Sequence, residues 1–249
     1  FTSFLTICVH TILYQRTIYP RESFLTTRAY DFPVAQSRHP KVCRWISDAV
    51  AAVEAQMLRA NDKTGEAGGW VEKIVLVIFS EESEVMERYV FDVSKLPRVP
   101  GKEIETRFIR EQAPVGGSSK APQRGQPHFI PPSQLEVDLA EQLRASLSQM
   151  SNLNSRLAPL PKNCTFSLAI ELSDPADPPV GHPRPWIPVD PRLQRCVDEG
   201  NRNESTEEKT GLGKAAVDAH SKKTTPVRKV DAGEMIFEMW IEEAKAKLD

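Results

Sequence analysis

Five histidines, four cysteines and several adjacent carboxylates are the residues with which this chain could do chemistry. His10, His39, His128, His182 and His220 are scattered, with no pair at a spacing that ligates a metal. Cys8, Cys43, Cys164 and Cys196 form no C-x-x-C pair and read as small apolar side chains in a reducing compartment. Gly211-Leu-Gly-Lys214 has the look of a phosphate loop. It lacks the first glycine at the required spacing and a serine or threonine after the lysine. Glu81 and Glu82 lie side by side in turn sequence, whereas paired carboxylates act across a cleft. No nucleophile elbow, zinc-protease helix or dinucleotide fingerprint occurs. We therefore expect no catalytic residue, no metal site and no cofactor. What remains is the chemistry of binding.

The bulk properties agree. With 249 residues the chain can bury a sizeable core, and its 40% hydrophobic and 27% charged content is ordinary for a globular protein. A formal charge of -2 sets up no global basic field for nucleic acid. One local run, 214–229, carries Lys214, Lys222, Lys223, Arg228 and Lys229 against Asp218, which is the usual look of a solvated face. No apolar run approaches the ~18–20 residues of a membrane helix. Asn163-Cys-Thr and Asn203-Glu-Ser fit a glycosylation pattern, but the apolar start lacks a signal peptide's basic lead and cleavage site.

Periodicity supplies the elements that must position any binding surface. Phe4 to Tyr19 is apolar on most sides, which predicts a central, buried helix ending at Pro20. It opens on Phe1 without a methionine, in what reads as mid-helix, so we expect that the native N-terminus is missing. Residues 21–39 read as a connection with an extended piece from Ala29 to Val34. A second helix is predicted from Pro40 to about Ala60, with Val42, Ile46, Ala49, Val50, Val53 and Met57 as its stripe and Trp45 beside it. Trp70–Phe79 and Val85–Val93 read as a hairpin, rich in β-branched residues and closed by Ser80-Glu-Glu-Ser83.

Residues 95–133, with prolines at 97, 100, 114, 122, 127, 131 and 132, are too polar for a packed element and read as a flexible insertion. Helical spacing resumes from Gln134 to Leu157. In 164–172, Cys164, Phe166, Leu168, Ile170 and Leu172 alternate with polar partners, as in a strand with one buried face. Residues 173–249 read as an arm. It begins proline-rich, sets Trp186 among prolines in Pro183-Arg-Pro-Trp-Ile-Pro188, and turns polar, with a disordered insertion predicted over 191–223. It closes on the alternating stretch Glu234-Met-Ile-Phe-Glu-Met-Trp-Ile241. In that alternation Trp240 can face out while Phe237 and Met239 face in.

The order helix, helix, hairpin, helix, strand, arm resembles the HORMA domain. Within that family, Val9-His-Thr-Ile-Leu-Tyr14, Ile18-Tyr-Pro20, Pro33-Val34, His39-Pro40, Glu72-Lys-Ile-Val-Leu-Val-Ile78, Arg88-Tyr-Val-Phe-Asp-Val93, Cys164-Thr-Phe166, Pro185-Trp-Ile187 and Trp240-Ile-Glu-Glu243 look like the accessory subunits of DNA polymerase zeta. The likeness covers nearly everything outside 95–133 and 191–223. The start of the family's first helix is lacking, and both insertions are longer than the family's.

The resemblance implies an α+β fold: three core helices on a mostly antiparallel sheet, in a single domain of core 1–172 and safety-belt arm 173–249. It implies a nuclear, non-catalytic adaptor that locks a proline-bearing peptide of the polymerase's catalytic subunit under the arm, with Trp45 and Trp186 lining the channel. It places Pro226, Glu238 and Trp240 at a second face toward the scaffolding translesion polymerase. Glu238 stands where an amide is usual. Arg144 matches a basic residue at a HORMA–HORMA dimer face. The alternatives are a spindle-checkpoint or meiotic-axis HORMA adaptor, and a DNA binder using 214–229, although direct nucleic-acid binding is not expected.

Overall fold

The computed structural model describes residues 1–59, 70–97, 132–173, 186–187, 223–233, 235–244 and 247, with backbone alone for Arg59 and 132–137. In order these form helix α1 (Thr2–Gln15), strands β1 (Phe24–Ala29) and β2 (Phe32–Ser37), and helix α2 (Pro40–Arg59). Strands β3 (Val71–Phe79) and β4 (Val85–Asp92), helix α3 (Pro132–Ser151), and strands β5 (Thr165–Leu172), β6 (Lys223–Ala232) and β7 (Met235–Glu243) follow. The α+β architecture, three helices with a mostly antiparallel sheet, is the one expected.

The large sheet runs β5-β3-β4-β7-β6, antiparallel throughout. Its inner face presents Ile74, Leu76 and Ile78 from β3, Tyr89 and Phe91 from β4, and Phe237, Met239 and Ile241 from β7. These pack with Phe4, Leu5 and Ile12 of α1, Ile46 and Val53 of α2, and Leu143 and Leu147 of α3 in one core. Helix α1 buries residues on most sides, as its composition requires, and lies against β2, α2 and α3. The outer face of β3 and β4 holds a smaller cluster of Val75, Val77 and Val90, with Trp240 and Ala169 against it.

Four elements differ from the expectation, the first being strand β6 (Lys223–Ala232), which forms where the end of an insertion and a solvated basic run were expected. Helix α1 ends at Gln15 rather than near Tyr19, because the chain reverses at Thr17, whose φ is 55°. The extended piece expected over Ala29–Val34 is instead the turn of a hairpin. Tyr30 and Asp31 both have positive φ (48° and 57°), the geometry of a two-residue hairpin turn, here without the usual asparagine or glycine. Helix α3 stops at Ser151 and passes through a 3-10 turn at Leu153–Ser155 rather than running to Leu157. Apart from residues 95–97, 132–133 and 223, the two predicted insertions lie outside the described residues, as do Gly211-Leu-Gly-Lys214 and Asn203.

The sheet treats its two rims differently. At β6, Gln142 of α3 donates from Nε2 to the Asp231 carbonyl (2.7 Å) and accepts the Asp231 N–H at Oε1 (2.8 Å). Arg156 donates to the Pro226 carbonyl at 2.8 Å. A primary amide that bonds one residue's N–H and C=O imitates the next strand, and it closes the rim to further pairing. At β5, pairing is with β3 alone among the described residues. Gln142→Ala removes two hydrogen bonds and is expected to lower stability by about 1–2 kcal/mol, read as a reduced urea midpoint. An unchanged midpoint would mean that water replaces the amide without loss.

Candidate functional site

The outer rim of β5, unpaired among the described residues, carries an aromatic wall. Phe166, half-buried on the inner register of β5, takes the edge of Trp45 from α2 (ring centroids 5.0 Å, 81°) and of Tyr19 (6.3 Å, 87°). Edge-on aromatic pairs are worth about 0.5–1.5 kcal/mol beyond the area they bury, which favours this arrangement of the three rings. Burial pushes the Tyr19 phenol above its ordinary value, so it is neutral at physiological pH. Trp186 is half-buried against the same core, while its neighbour Ile187 stays 74% exposed. Of the sequence-expected residues, Trp45 therefore sits at the β5 rim, and Trp186 is anchored to the core that rim belongs to. Phe166 and Tyr19 were not picked out from sequence as wall residues. Their placement comes from β5 lying at a sheet edge, which periodicity alone does not reveal.

A second surface lies on the sheet's outer face. Pro226 and Trp240 are direct cross-strand partners, and Glu238 pairs with Lys229 two residues along. The structure thus brings the three together, with Trp240 facing out and Phe237 and Met239 facing in, as the alternation predicts. Glu238 also meets Lys95 at 3.3 Å, and the Trp240 indole N–H donates to Glu242 at 3.2 Å. Arg88 spans this face, bonded to Glu242 (2.7 Å) and Glu171 (3.0 Å), with Lys73 also on Glu171 at 2.7 Å. Arg144 stands apart on α3, 43% exposed and beside Glu141 at 3.4 Å.

One constellation was missed in the sequence. Arg16, at the end of α1, grips Glu87 of β4 with two nitrogens (3.0 and 2.7 Å), and reaches Asn154 (2.9 Å) and the Ala158 carbonyl (2.6 Å). Tyr89 donates to Glu87 at 2.6 Å. Beyond β7, Lys247 bonds Glu243 (2.9 Å) and touches Glu87. Arg16, Glu87, Glu243 and Lys247 are 4%, 0%, 0% and 1% exposed, so this is a buried quartet of charge. The signal was present. Glu87 continues the inward register of Tyr89, Phe91 and Val93, and Glu243 continues that of Phe237, Met239 and Ile241. A carboxylate on an inward register demands a buried partner.

A cavity of about 210 Å3 is lined by Phe1, Tyr30, Leu139, Leu143, Met235 and Phe237, and the Tyr30 phenol there is raised by burial and then by Cys8. No three histidine, cysteine, aspartate or glutamate side chains cluster to hold a metal among the described residues.

An antiparallel sheet backed by helices, with one rim covered by α3 and the other unpaired among the described residues and flanked by aromatic rings, suits the addition of a further strand. The HORMA domain profile matches residues 1–185, and the chain belongs to that family. It is 28% identical over 247 residues, covering 97% of this chain and 90% of the relative, to the DNA polymerase zeta processivity subunit of Schizosaccharomyces pombe. A shorter stretch of 97 residues, 39% of this chain and 42% of the relative, is 36% identical to the mitotic spindle assembly checkpoint protein MAD2B of Bos taurus. Among solved structures, a chain of the mitotic checkpoint complex superposes with a TM-score of 0.61 at 17% identity, covering 97% of this chain and 95% of that one. At that identity the likeness concerns the fold.

Two buried groups set the pH dependence of stability. Burial lowers the His10 pKa, so the folded protein resists a proton that the unfolded chain accepts. For Glu243, burial alone would raise the pKa. Hydrogen bonds from Lys247, the Ala158 N–H and Lys223 outweigh it and hold the carboxyl below its usual range. Both depressions act in one direction: stability is full above the unfolded pKa values and lost as pH falls. The urea midpoint is expected to be flat near pH 7–8, to fall first below about 6.5 where free histidine titrates, and to fall again in the carboxylate range. His10→Gln should flatten the first step and leave the second.

Proposed function

We propose that this chain is the non-catalytic accessory subunit of DNA polymerase zeta, working in the nucleus. It clasps a proline-bearing peptide of the catalytic subunit along the open rim of β5. The observation that carries this is the asymmetry of the sheet: α3 seals the β6 rim, and the β5 rim is left beside Trp45, Phe166 and Tyr19. A peptide added there gains main-chain hydrogen bonds for affinity, and its proline rings gain aromatic walls for specificity. The single-domain organisation, with 173–249 as a safety belt, is supported by topology. The chain leaves β5 at one rim with Leu172 and returns at the opposite rim with Lys223. An occupant crossed by such a segment leaves only when that segment opens, so release is slow.

Pro226, Glu238 and Trp240 form the surface for the scaffolding translesion polymerase, and Arg144 the contact for a second HORMA domain. Glu238 puts a carboxylate where an amide is usual, paired here with Lys95 at 3.3 Å, so this contact favours a cationic or donor-bearing partner. Direct nucleic-acid binding is disfavoured at the basic run. Its described lysines are engaged, Lys223 with Glu243 at 3.1 Å and Lys229 with Asp231 at 3.3 Å. The likeness to MAD2B keeps a spindle-checkpoint or meiotic adaptor as the second reading.

Calorimetric titration with a proline-bearing peptide of the polymerase zeta catalytic subunit is expected to show tight binding. Trp186→Ala or Phe166→Ala should weaken it by at least ~2 kcal/mol, as for a buried aromatic anchor. No binding by a folded chain that instead binds a checkpoint-partner peptide would favour the second reading.

A further inference from the structure

The buried quartet divides along the line where the terminal hairpin meets the core. On the core side, Arg16 is satisfied by Glu87, Asn154 and the Ala158 carbonyl, and Glu87 by Arg16 and Tyr89. All of these residues precede β6. On the hairpin side, Glu243 holds Lys247 at 2.9 Å and Lys223, across the β6–β7 pair, at 3.1 Å. Three polar links join these groups across the line: Lys247 to Glu87, the Ala158 N–H to Glu243 at 3.0 Å, and Lys223 to the Arg156 carbonyl at 3.5 Å. Each half is neutral in its buried charges and bonded within itself. A buried charge that loses its partner is strongly destabilising, whereas a pair that moves together takes its compensation along.

We propose that the quartet is a separable latch: Arg16–Glu87 stays with the core, Glu243–Lys247 leaves with the β6–β7 hairpin, and Lys247 sets how long the hairpin stays docked on β4. This deepens the reading of residues 173–249 as a clasp, since the hairpin is the end of that segment and its undocking is the step that would free it. The division of partners explains why a fully buried ionic cluster stands between two elements rather than within one. An undivided network, with each carboxylate shared equally between core and hairpin, would leave an uncompensated charge on both sides whenever the hairpin moved. Here undocking breaks these links together with the β4–β7 ladder and the Arg88–Glu242 pair, and leaves Arg16, Glu87, Glu243 and Lys247 each with an opposite charge in its own half.

Amide hydrogen exchange on the full chain, without any peptide, tests this apart from the peptide-binding proposal. Lys247→Met and Glu243→Gln each leave the quartet with an unbalanced charge. Each is expected to speed exchange in β6 and β7 by roughly tenfold or more, with β3 and β5 unchanged. The double variant restores neutrality, so its exchange should lie closer to the parent than either single variant. The inference is overturned if β3 and β5 accelerate alongside β7, which would make the quartet part of one cooperative core. It is also overturned if the two effects simply add in the double variant. Should one single variant fail to fold, the other and the double still decide between these outcomes.

Discussion

Each rim of a β-sheet presents a row of main-chain donors and acceptors, and every one of them needs a partner. This chain meets that constraint in two different ways, and the rest of the molecule follows from the difference. At β6 the partner is built in: Gln142 offers an amide as a substitute strand at Asp231, and Arg156 covers the Pro226 carbonyl. At β5 no described residue pairs the outer rim, and aromatic rings stand beside it instead. A closed rim protects against aggregation, while an open one beside aromatic rings is an invitation to one kind of guest, an extended peptide. The position of β5, β3 and the helices behind them serves that rim.

Docking of β7 on β4 is the other condition. It places Phe237, Met239 and Ile241 in the core and turns Trp240 outward, so one strand completes the interior and builds the outer surface at once. The same docking carries Glu243 and Lys247 into contact with Arg16 and Glu87. Those charges pair within their own halves as well as across the joint, at Lys247–Glu87 and Ala158–Glu243.

Much of this was legible in the residues, and the failures have physical causes. Strands β3, β4, β5 and β7 and helix α2 announce themselves because one face is buried and the alternation or stripe is clean. The outward turn of Trp240 follows from the same alternation. The β1–β2 hairpin was missed because its turn is Tyr30-Asp31, two residues that adopt positive φ without glycine, and because Thr26, Thr27 and Arg28 give no apolar rhythm. Strand β6 was hidden for a different reason. As a rim strand it carries Lys223, Pro226, Arg228 and Lys229, so composition made it look like a solvated run. The aromatic wall was half seen: Trp45 lay beside its helical stripe, but its meeting with Phe166 depends on strand order. The buried charges were visible as inward-register glutamates, and only the three-dimensional contact shows which cations answer them.

The central claim, that the open β5 rim receives the partner strand, is tested most directly by residue-resolved amide exchange with and without the proline-bearing polymerase peptide. The account predicts new protection at alternate amides of Thr165–Leu172, the ones that do not bond to β3, with β6 unchanged. Protection that appeared only on β6 or on the outer face around Trp240, with the β5 amides exchanging as before, would contradict it.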